Sequence, residues 1–481
     1  MSEMANETYD IAVIGAGTGG LVAAFLCDSL GAKTALIEKD KMGGECLWTG
    51  CVPSKTLIRS AKVLETVKRA EEFGVHVENV RPIWRAIQLR MAAVRDEIKT
   101  LERQEMARTK IDFINGNARF LDARTLEIQD KKGKRLLHAR KFILATGTKA
   151  KIPAILGLSD VPYLTHETIY DLPSLPRSLA ILGGGPIACE FAQAFARFGA
   201  KVTILQKNER LLPREDGEIS AALQERLQND LVQIFLGAQT SKIEKIEDKI
   251  RLSFEVDGQT HNIEAGHLLL ATGKEAQDTV NFQAAGVQMN EKGVIVDEHL
   301  KTTAPHIWAC GDITGAYLFT HVAEYQGKIA AQNALLPVKA KADYRIVPWT
   351  TFTDPEVAHL GLTEEEARQA HGAVKIYKMP FDHLDRAIIE GETSGFLKAI
   401  CTQSGRLVGA HIIGPQAGEL IHTLVPAVRD GALIQELAET IHVYPTLSEI
   451  GHRAGNQFYK ETLDEALESP PVRWLLKKIV K

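Results

Sequence analysis

Apolar residues arrive in short bursts separated by glycine turns and polar amphipathic stretches. The run Tyr9-Asp10-Ile11-Ala12-Val13-Ile14 reads as a strand, and Gly15-Ala16-Gly17-Thr18-Gly19-Gly20 as the turn after it. Leu21 to Leu30 then predicts a helix and Thr34-Ala35-Leu36-Ile37-Glu38 a second strand. From Ser54 to Lys110 the pattern is polar and amphipathic, as two long helices would be. Strand-like pieces follow at Phe113-Ile114-Asn115-Gly116-Asn117-Ala118 and Phe142-Ile143-Leu144, the latter closing on Ala145-Thr146-Gly147. Pro153, Pro162, Pro173 and Pro176 punctuate a linker. A second strand–glycine–helix unit opens at Leu179-Ala180-Ile181-Leu182, continues through Gly183-Gly184-Gly185-Pro186-Ile187-Ala188 in a helix to Phe198, and reaches Lys201-Val202-Thr203-Ile204-Leu205. After another strand ending at Ala271-Thr272-Gly273, a third run leads to Cys310-Gly311-Asp312 and a helix from His321 to Leu335. From about Val347 short strands alternate with amphipathic helices.

Two of these units carry chemistry. Strand, Gly15-x-Gly17-x-x-Gly20, helix, strand and the terminal acid Glu38 fall at the offsets of a dinucleotide-binding unit. Its glycines let backbone approach a pyrophosphate at a helix N-terminus, and Glu38 is placed to accept hydrogen bonds from a ribose. Just downstream, Cys46 and Cys51 lie in Gly43-Gly44-Glu45-Cys46-Leu47-Trp48-Thr49-Gly50-Cys51-Val52-Pro53-Ser54-Lys55. Pro53 suits the first turn of a helix, which places Cys51 at or near that helix's N-terminal end. In regular helix the rise from Cys46 to Cys51 is about 7.5 Å, too far for a disulfide. Thr49-Gly50 must therefore tighten or unwind the segment if the sulfurs are to bond. The helix dipole and Lys55, one turn on, both favour a thiolate. Two buried, inert cysteines are the competing reading. The neighbouring nucleotide motif argues for a redox pair instead.

Composition narrows the setting. A chain of 481 residues suggests three domains rather than one core. Net charge of −4, from 57 basic and 61 acidic residues, gives no reason to invoke nucleic acid. The six cysteines (Cys27, Cys46, Cys51, Cys189, Cys310, Cys401) are sparse enough to suggest a reducing compartment. Met1 to Thr8 is short and polar, with neither a secretory signal nor a transmembrane run, so a cytoplasmic protein is expected.

Taken together, these separated motifs resemble the flavin-dependent pyridine-nucleotide disulfide oxidoreductases, among them dihydrolipoyl dehydrogenase, glutathione reductase and mercuric reductase. The resemblance implies an α/β fold with two Rossmann-like dinucleotide-binding domains plus a C-terminal α+β dimerisation domain. The expected divisions are a discontinuous FAD-binding domain (1–150 and 277–346), an NAD(P)-binding domain (151–276), and a dimerisation domain with a basic amphipathic tail (347–481). It implies that Cys51 contacts the flavin and Cys46 is the outer, interchange thiol. Lys55 would lie near the flavin and pair with Glu190. FAD would further be held at Gly15, Gly17, Gly20 and Glu38, at Ala118 through backbone, at the Thr146-Gly147 turn, at Asp312, and at Ala323 in the following helix. Ala145-Thr146-Gly147 also serves as a plain strand-ending turn, and Cys310 reads as a small buried residue.

For the second nucleotide, the implied contacts are Gly183, Gly185, Ala188, Gln206, Lys207 and Gly273. Gln206 stands where an NAD-binding domain usually places an acid, so nothing there repels a 2′-phosphate, and Lys207 and Arg210 offer positive charge. That favours NADPH, with NADH the other candidate. After Gly273 the family's usual arginine, proline and asparagine are replaced by Lys274-Glu275-Ala276-Gln277, and the contacts of this junction do not follow from the sequence. The interface domain implies a homodimer whose active sites borrow residues across it. In relatives these lie in a His-Pro-Thr-x-x-Glu stretch; here it reads Tyr444-Pro445-Thr446-Leu447-Ser448-Glu449. Tyrosine, with an ordinary pKa of about 10, is a poor base at neutral pH, and His442, two residues earlier, is not expected to replace it. Mercuric reductases also carry tyrosine near this region, but their C-terminal cysteine pair is absent, since no cysteine follows Cys401.

The sequence therefore points to an FAD-dependent NAD(P)H oxidoreductase with a redox-active Cys46–Cys51 pair, mercuric reductase-like, and with a small-molecule or protein-borne thiol or disulfide acceptor left open. A dihydrolipoyl dehydrogenase using NAD and an electron-relay subunit serving a protein partner are the alternatives. No metal site is expected. The tail Val472–Lys481 mixes apolar residues with four cations, which suits either weak contact with an anionic membrane surface or, as the residues favour, packing on the dimer.

Overall fold

The computed structural model describes residues 8–479. Val480 and Lys481, the end of the cationic tail, and nearly all of the polar N-terminal segment lie outside them. The chain folds as two compact units. One holds the described residues up to Gly183 with Lys242–Leu252 and Glu264–Asp343; the other holds Gly184–Ser241, Ser253–Ile263 and the chain from Tyr344 on. The expected nucleotide-binding segment 151–276 contributes to both.

The first unit is built on a mixed sheet, parallel through most of its strands and antiparallel at one end. Its early elements are the strand β1 (Thr8–Ile14), helix α1 (Thr18–Ser29), strand β2 (Thr34–Glu38), helices α2 (Gly44–Trp48), α3 (Cys51–Lys68) and α4 (Trp84–Met106), and strands β3 (Asp112–Asn115), β4 (Asn117–Asp122), β5 (Thr125–Asp130), β6 (Gly133–Leu144) and β7 (Thr148–Ala150). The sheet order is β3-β2-β1-β6-β5-β4, and Ile307–Ala309 returns to pair parallel with β6. Along β1 the side chains alternate between two buried faces. Ala12 and Ile14 join the core of Phe120, Phe142 and Ile307, whereas Ile11 and Val13 pack with Leu21, Ala24 and Ile329. A strand covered on both sides needs such an unbroken apolar run.

Some boundaries differ from expectation. Helix α1 begins at Thr18 rather than Leu21, because extended Gly17 already serves as its N-cap. The predicted strand 113–118 is split at Gly116 into β3 and β4. The two long helices expected over 54–110 are α3 and α4, separated by a short 3-10 turn and a loop before Trp84.

The second unit centres on a five-stranded antiparallel sheet in the order Trp349–Thr351, Glu356–Gly361, Leu407–Gly414, Phe396–Thr402, Val374–Pro380. Beneath it, Lys398 is only 2% exposed and its ammonium meets Asp216 at 2.9 Å, Glu218 at 2.9 Å and Glu364 at 2.7 Å. Burial works against the charge, but the three carboxylates hold it above the usual lysine range. Asp216 caps the helix Gly217–Asn229, and Glu364 opens the helix Glu364–His371, so one lysine ties two helix N-termini to the sheet. At the other end, Ser469 ends the helix Glu449–Glu468 and Pro470 opens a last helix to Ile479, with Trp474 exposed and the Lys478 ammonium 3.9 Å from its ring centre. Among the described residues no helix is long and apolar enough to cross a membrane.

Replacing Lys398 by methionine leaves Asp216 buried without its cation, and a broken buried pair typically costs about 3–5 kcal/mol. A urea titration of Lys398→Met is expected to show that loss; an unchanged midpoint would mean the cluster contributes nothing to stability.

Candidate active site

The Gly15 turn shapes the candidate nucleotide cradle. Gly15 has φ +103°, and any side chain there would run into the Ala145 carbonyl oxygen. This lets the two turns that end β1 and β6 lie side by side, with the Ala145 amide donating to Ile14 O at 2.8 Å. Gly17 caps α1 without a side-chain partner, and the first turn of α1 holds no acid. That leaves an uncapped helix N-terminus of the kind that receives a pyrophosphate. Glu38 ends β2, where its carboxylate accepts the Ala16 and Asp40 amides, each at 2.8 Å. Ala118 lies buried on β4, just past Gly116, whose amide donates to Glu38 O at 2.8 Å. Thr146 presents a buried hydroxyl with no hydrogen-bond partner, beside Gly147 at φ +70°. An orphaned buried hydroxyl and an uncapped helix end fit a bound dinucleotide. Ala323 is buried in the helix Thr320–Leu335.

The dithiol lies where α2 gives way to α3. The amides of Thr49 and Gly50 both bond back to Glu45 O, at 2.9 and 2.6 Å, and this breaks the helix between the cysteines. A β-carbon on Gly50 would sit 2.9 Å from that oxygen and 3.2 Å from the Cys46 α-carbon, so the turn admits only glycine without a shift. Cys51 becomes the first residue of α3, as Pro53 implied. Cys46 is hydrogen-bonded to Cys51. That bond, then burial, pushes the Cys46 thiol well above its usual range. The Thr320 hydroxyl lies 3.3 Å from Cys51 Sγ.

A charged cluster that the sequence did not announce surrounds this turn. The strand Lys274–Ala276 pairs antiparallel with β7, and Lys274 forms an ion pair with Glu45 while lying 3.6 Å from Asp312. His166 Nε2 is 3.0 Å from Glu45 Oε1, the oxygen that Lys274 also meets, though off the line of a hydrogen bond. One lysine cannot neutralise two acids equally. Burial works against the Glu45 charge, but His166 and Lys274 bring its carboxyl down to about 2. For Asp312 burial dominates over Lys274, and the neighbouring Glu45 adds to it, so its carboxyl is raised; the Thr148 hydroxyl donates to it at 3.3 Å. Burial likewise opposes the Lys274 charge, yet Glu45, Asp312 and Cys51 together raise it. The signal missed in the sequence was the departure at 274–277, visible there but impossible to place.

The second glycine turn repeats the first. Gly183 has φ +111° and faces the Ala271 carbonyl as Gly15 faces Ala145. Gly185 caps the helix Pro186–Arg197 without a side-chain partner and with open space around it, and Ala188 is buried in that helix. Gln206 turns inward, its amide donating to Arg210 O at 3.1 Å, while Lys207 is exposed. Gly273 has φ +102° and accepts the Lys151 amide at 3.0 Å. Glu190 is buried in the second unit with the Phe352 amide 2.9 Å from its carboxylate, and Lys55 lies one turn into α3 in the first.

Tyr444 and Glu449 are not bonded to one another. The Tyr444 hydroxyl donates to Asp385 at 2.8 Å; Glu449 accepts the Thr446 amide at 3.5 Å. Hydrogen bonding to Asp385 raises the Tyr444 pKa, further from that of a neutral-pH base. His442 turns its Nδ1 to Thr440 O at 2.8 Å.

Residues 9–327 match the family model described as pyridine nucleotide-disulphide oxidoreductase, and residues 347–454 match the dimerisation domain of the same family. The chain belongs to this family. Within the pyridine nucleotide-disulphide oxidoreductases it is 34% identical to the mercuric reductase of Staphylococcus aureus over 92% of its own length and 81% of that protein. It is 35% identical to the dihydrolipoyl dehydrogenase of Bacillus subtilis over 94% of its length and 98% of that protein. The Escherichia coli HOCl-induced flavoprotein disulfide reductase RclA, solved as a Cu(II) complex, superposes with a TM-score of 0.85 at 29% identity, covering 94% of this chain and 99% of that one.

Because Glu45 titrates near 2 when folded and near 4.3 when unfolded, its contribution is full above the unfolded value and lost as pH falls toward 2. Glu45→Gln is expected to be less stable than the wild type at pH 7 by roughly 2–3 kcal/mol, with the gap narrowing between pH 4.5 and 2. Denaturant titrations across that range check it, and a pH-independent gap would show that the ion pair is not its source.

Proposed function

We propose that this protein is an FAD-dependent NAD(P)H oxidoreductase that works through the Cys46–Cys51 pair and hands electrons to a thiophilic acceptor rather than to a lipoyl group. The observation that carries this reading is the placement of the two sulfurs. Cys46 is hydrogen-bonded to Cys51 at a helix N-terminus, beside Lys274 and Thr320, and the Tyr444 hydroxyl is bonded to Asp385 rather than offering a neutral-pH base. Bound FAD supplies a two-electron relay between a nicotinamide and a disulfide. The chain's residues do the rest.

The α3 dipole, Lys274 and the Thr320 hydroxyl favour the thiolate on Cys51, while Cys46 serves as the interchange thiol in this reading. A dihydrolipoyl substrate needs a general base to take its thiol proton, and such assistance is worth on the order of 10²–10⁴-fold. A soft metal ion displaces the thiol protons as it coordinates, and a small disulfide breaks its own S–S bond and takes the proton on the thiolate that leaves, so neither needs that base. The mercuric reductases among the relatives and the copper-bound RclA point the same way. Dihydrolipoyl dehydrogenase activity is the second reading, supported by Glu449 and by relatives matched over nearly their whole length; a relay subunit acting on a protein partner is the third.

NADPH is the donor we favour, because Gln206 carries no charge and Lys207 and Arg210 lie beside it. The domain limits we assign are 1–150 with 277–346 for FAD, 151–276 for the nicotinamide nucleotide and 347–481 for dimerisation. Lys55 pairs with Glu190 in this reading. The dimerisation domain supports a homodimer, and the exposed run of Ile441, Val443 and Tyr444 gives it an apolar surface to cover. Exposed Trp474 and the cations around it support at most a weak contact of the tail with an anionic membrane surface.

The purified protein is expected to be yellow, and titration with NADPH or NADH should give a long-wavelength thiolate–flavin band that Cys51→Ser abolishes and Cys46→Ser keeps. Steady-state assays with Hg²⁺, Cu²⁺, quinones, small disulfides and lipoamide then sort the readings. Turnover of metals or small disulfides supports the proposal, and activity only with an added protein supports the relay.

Wild-type dihydrolipoamide oxidation is expected to be weak at pH 7 and to rise with pH as the substrate's own thiols ionise. Tyr444→His should raise the neutral-pH rate by about 10²-fold and flatten that profile. Efficient wild-type turnover at pH 7 would overturn the assignment in favour of a dihydrolipoyl dehydrogenase.

A further inference from the structure

Outside the redox site, the second unit buries a second group of ligand-type side chains. His359 on the strand Glu356–Gly361 and His411 on Leu407–Gly414 are directly paired across the antiparallel ladder, so both rings stand on one face of the sheet. Their centroids are 4.6 Å apart and their planes cross at 75°. Glu215, from the turn before the helix Gly217–Asn229, reaches the same spot with Oε2 3.1 Å from His359 Nδ1. All three are buried, His411 completely. One ligand atom from each lies within 4.8 Å of the other two.

The bonds on the far side of each group decide what faces inward. His359 Nε2 donates to Gly361 O at 2.9 Å, and His411 Nε2 donates to Leu362 O at 3.0 Å. The Trp349 indole N–H donates to Glu215 Oε1 at 2.6 Å, and its ring stacks on His359 at 3.5 Å between centroids. With these atoms engaged, His359 Nδ1, His411 Nδ1 and Glu215 Oε2 are left to converge. His411 Nδ1 is buried without any hydrogen-bond partner. Leaving such a group unsatisfied is destabilising. Outer hydrogen bonds to backbone carbonyls that fix the tautomer and aim the free nitrogen are the usual support for a metal-binding histidine.

We propose that Glu215, His359 and His411 bind one divalent ion of the zinc class through these three atoms. Two imidazoles and a carboxylate are a zinc ligand set, with water completing the shell. At bond lengths of 2.0–2.1 Å, neighbouring ligands of a tetrahedral zinc lie about 3.3 Å apart, close to the 3.1 Å separating Glu215 Oε2 from His359 Nδ1. Carboxylates facing the pair from packed elements, Asp216 and Glu366, add negative potential, and Lys398 beside Asp216 offsets part of it. Burial, followed by the neighbouring His359, pushes the His411 pKa down to about 4, so its lone pair is available at neutral pH. The rival arrangement is a plain ion pair in which His359 carries both protons, one toward Glu215 and one toward Gly361. It leaves the His411 nitrogen unanswered. The ion's role is structural: it fastens the turn holding Glu215 to two adjacent inner strands of the sheet.

Two thiols are themselves candidate soft-metal ligands, so the test uses the FAD-loaded full-length Cys46→Ser/Cys51→Ser protein, stripped with chelator and dialysed against Zn²⁺. One zinc per chain should be retained and should raise Tm, and Co²⁺ in its place should give visible d–d bands without sulfur charge transfer. Glu215→Gln, which keeps shape and the Trp349 bond, and His411→Ala should each weaken zinc binding about a hundredfold and abolish the Tm rise. If a variant fails to fold, X-ray absorption at the zinc edge of the parent decides. A shell of two imidazole nitrogens and oxygen at about 2.0–2.1 Å supports the site. A shell without imidazole overturns it, as does no retained zinc or undiminished binding in Glu215→Gln.

Discussion

The Glu45 carbonyl accepts two amides, from Thr49 and Gly50, and so ends one helix and allows the next to begin a residue later. Without that closure Cys46 and Cys51 would be separated along a continuous helix, and no local adjustment of side chains would bring the sulfurs together. The side chain of the same residue is held by Lys274 and His166. Backbone and side chain of Glu45 thus fasten the dithiol turn to the strand pair formed by β7 and Lys274–Ala276. The geometry of the dithiol and the charge around it have a common anchor.

Much of this was legible in the sequence because it is local. Alternating apolar residues in β1, the offsets of the Gly15 turn and the need to break the helix at Thr49-Gly50 all depend on residues a few positions apart. The cluster of Glu45, His166, Lys274 and Asp312 was not legible, because its members are far apart in the chain and meet only after β7 pairs with Lys274–Ala276. The sequence showed that positions 274–277 were unusual, but not which acids they would face. Gly116 splitting a predicted strand and Gly17 starting α1 early are smaller misses of one kind. In both, a glycine sets backbone geometry that a hydrophobic pattern does not register.

The two units handle buried charge differently. In the second, Lys398 answers three carboxylates and locks helix ends to a sheet, an arrangement whose groups have no evident reason to change protonation. In the first, Lys274 is divided between Glu45 and Asp312, and its attraction is spent mostly on Glu45. Asp312 is thereby the less compensated of the two acids, and burial keeps its carboxyl raised.

The pairing of Ile307–Ala309 with β6 has a consequence for how the chain is made. Phe142, Ile143 and Leu144 leave the ribosome long before the strand that covers them. Until the intervening chain has been synthesised, this stretch of β6 presents an apolar edge with unpaired backbone, a template for association with other chains. The first unit therefore cannot close its sheet as it emerges. A nascent or truncated chain that stops before Ile307 keeps that edge open and is exposed to aggregation, however well its N-terminal nucleotide cradle has formed.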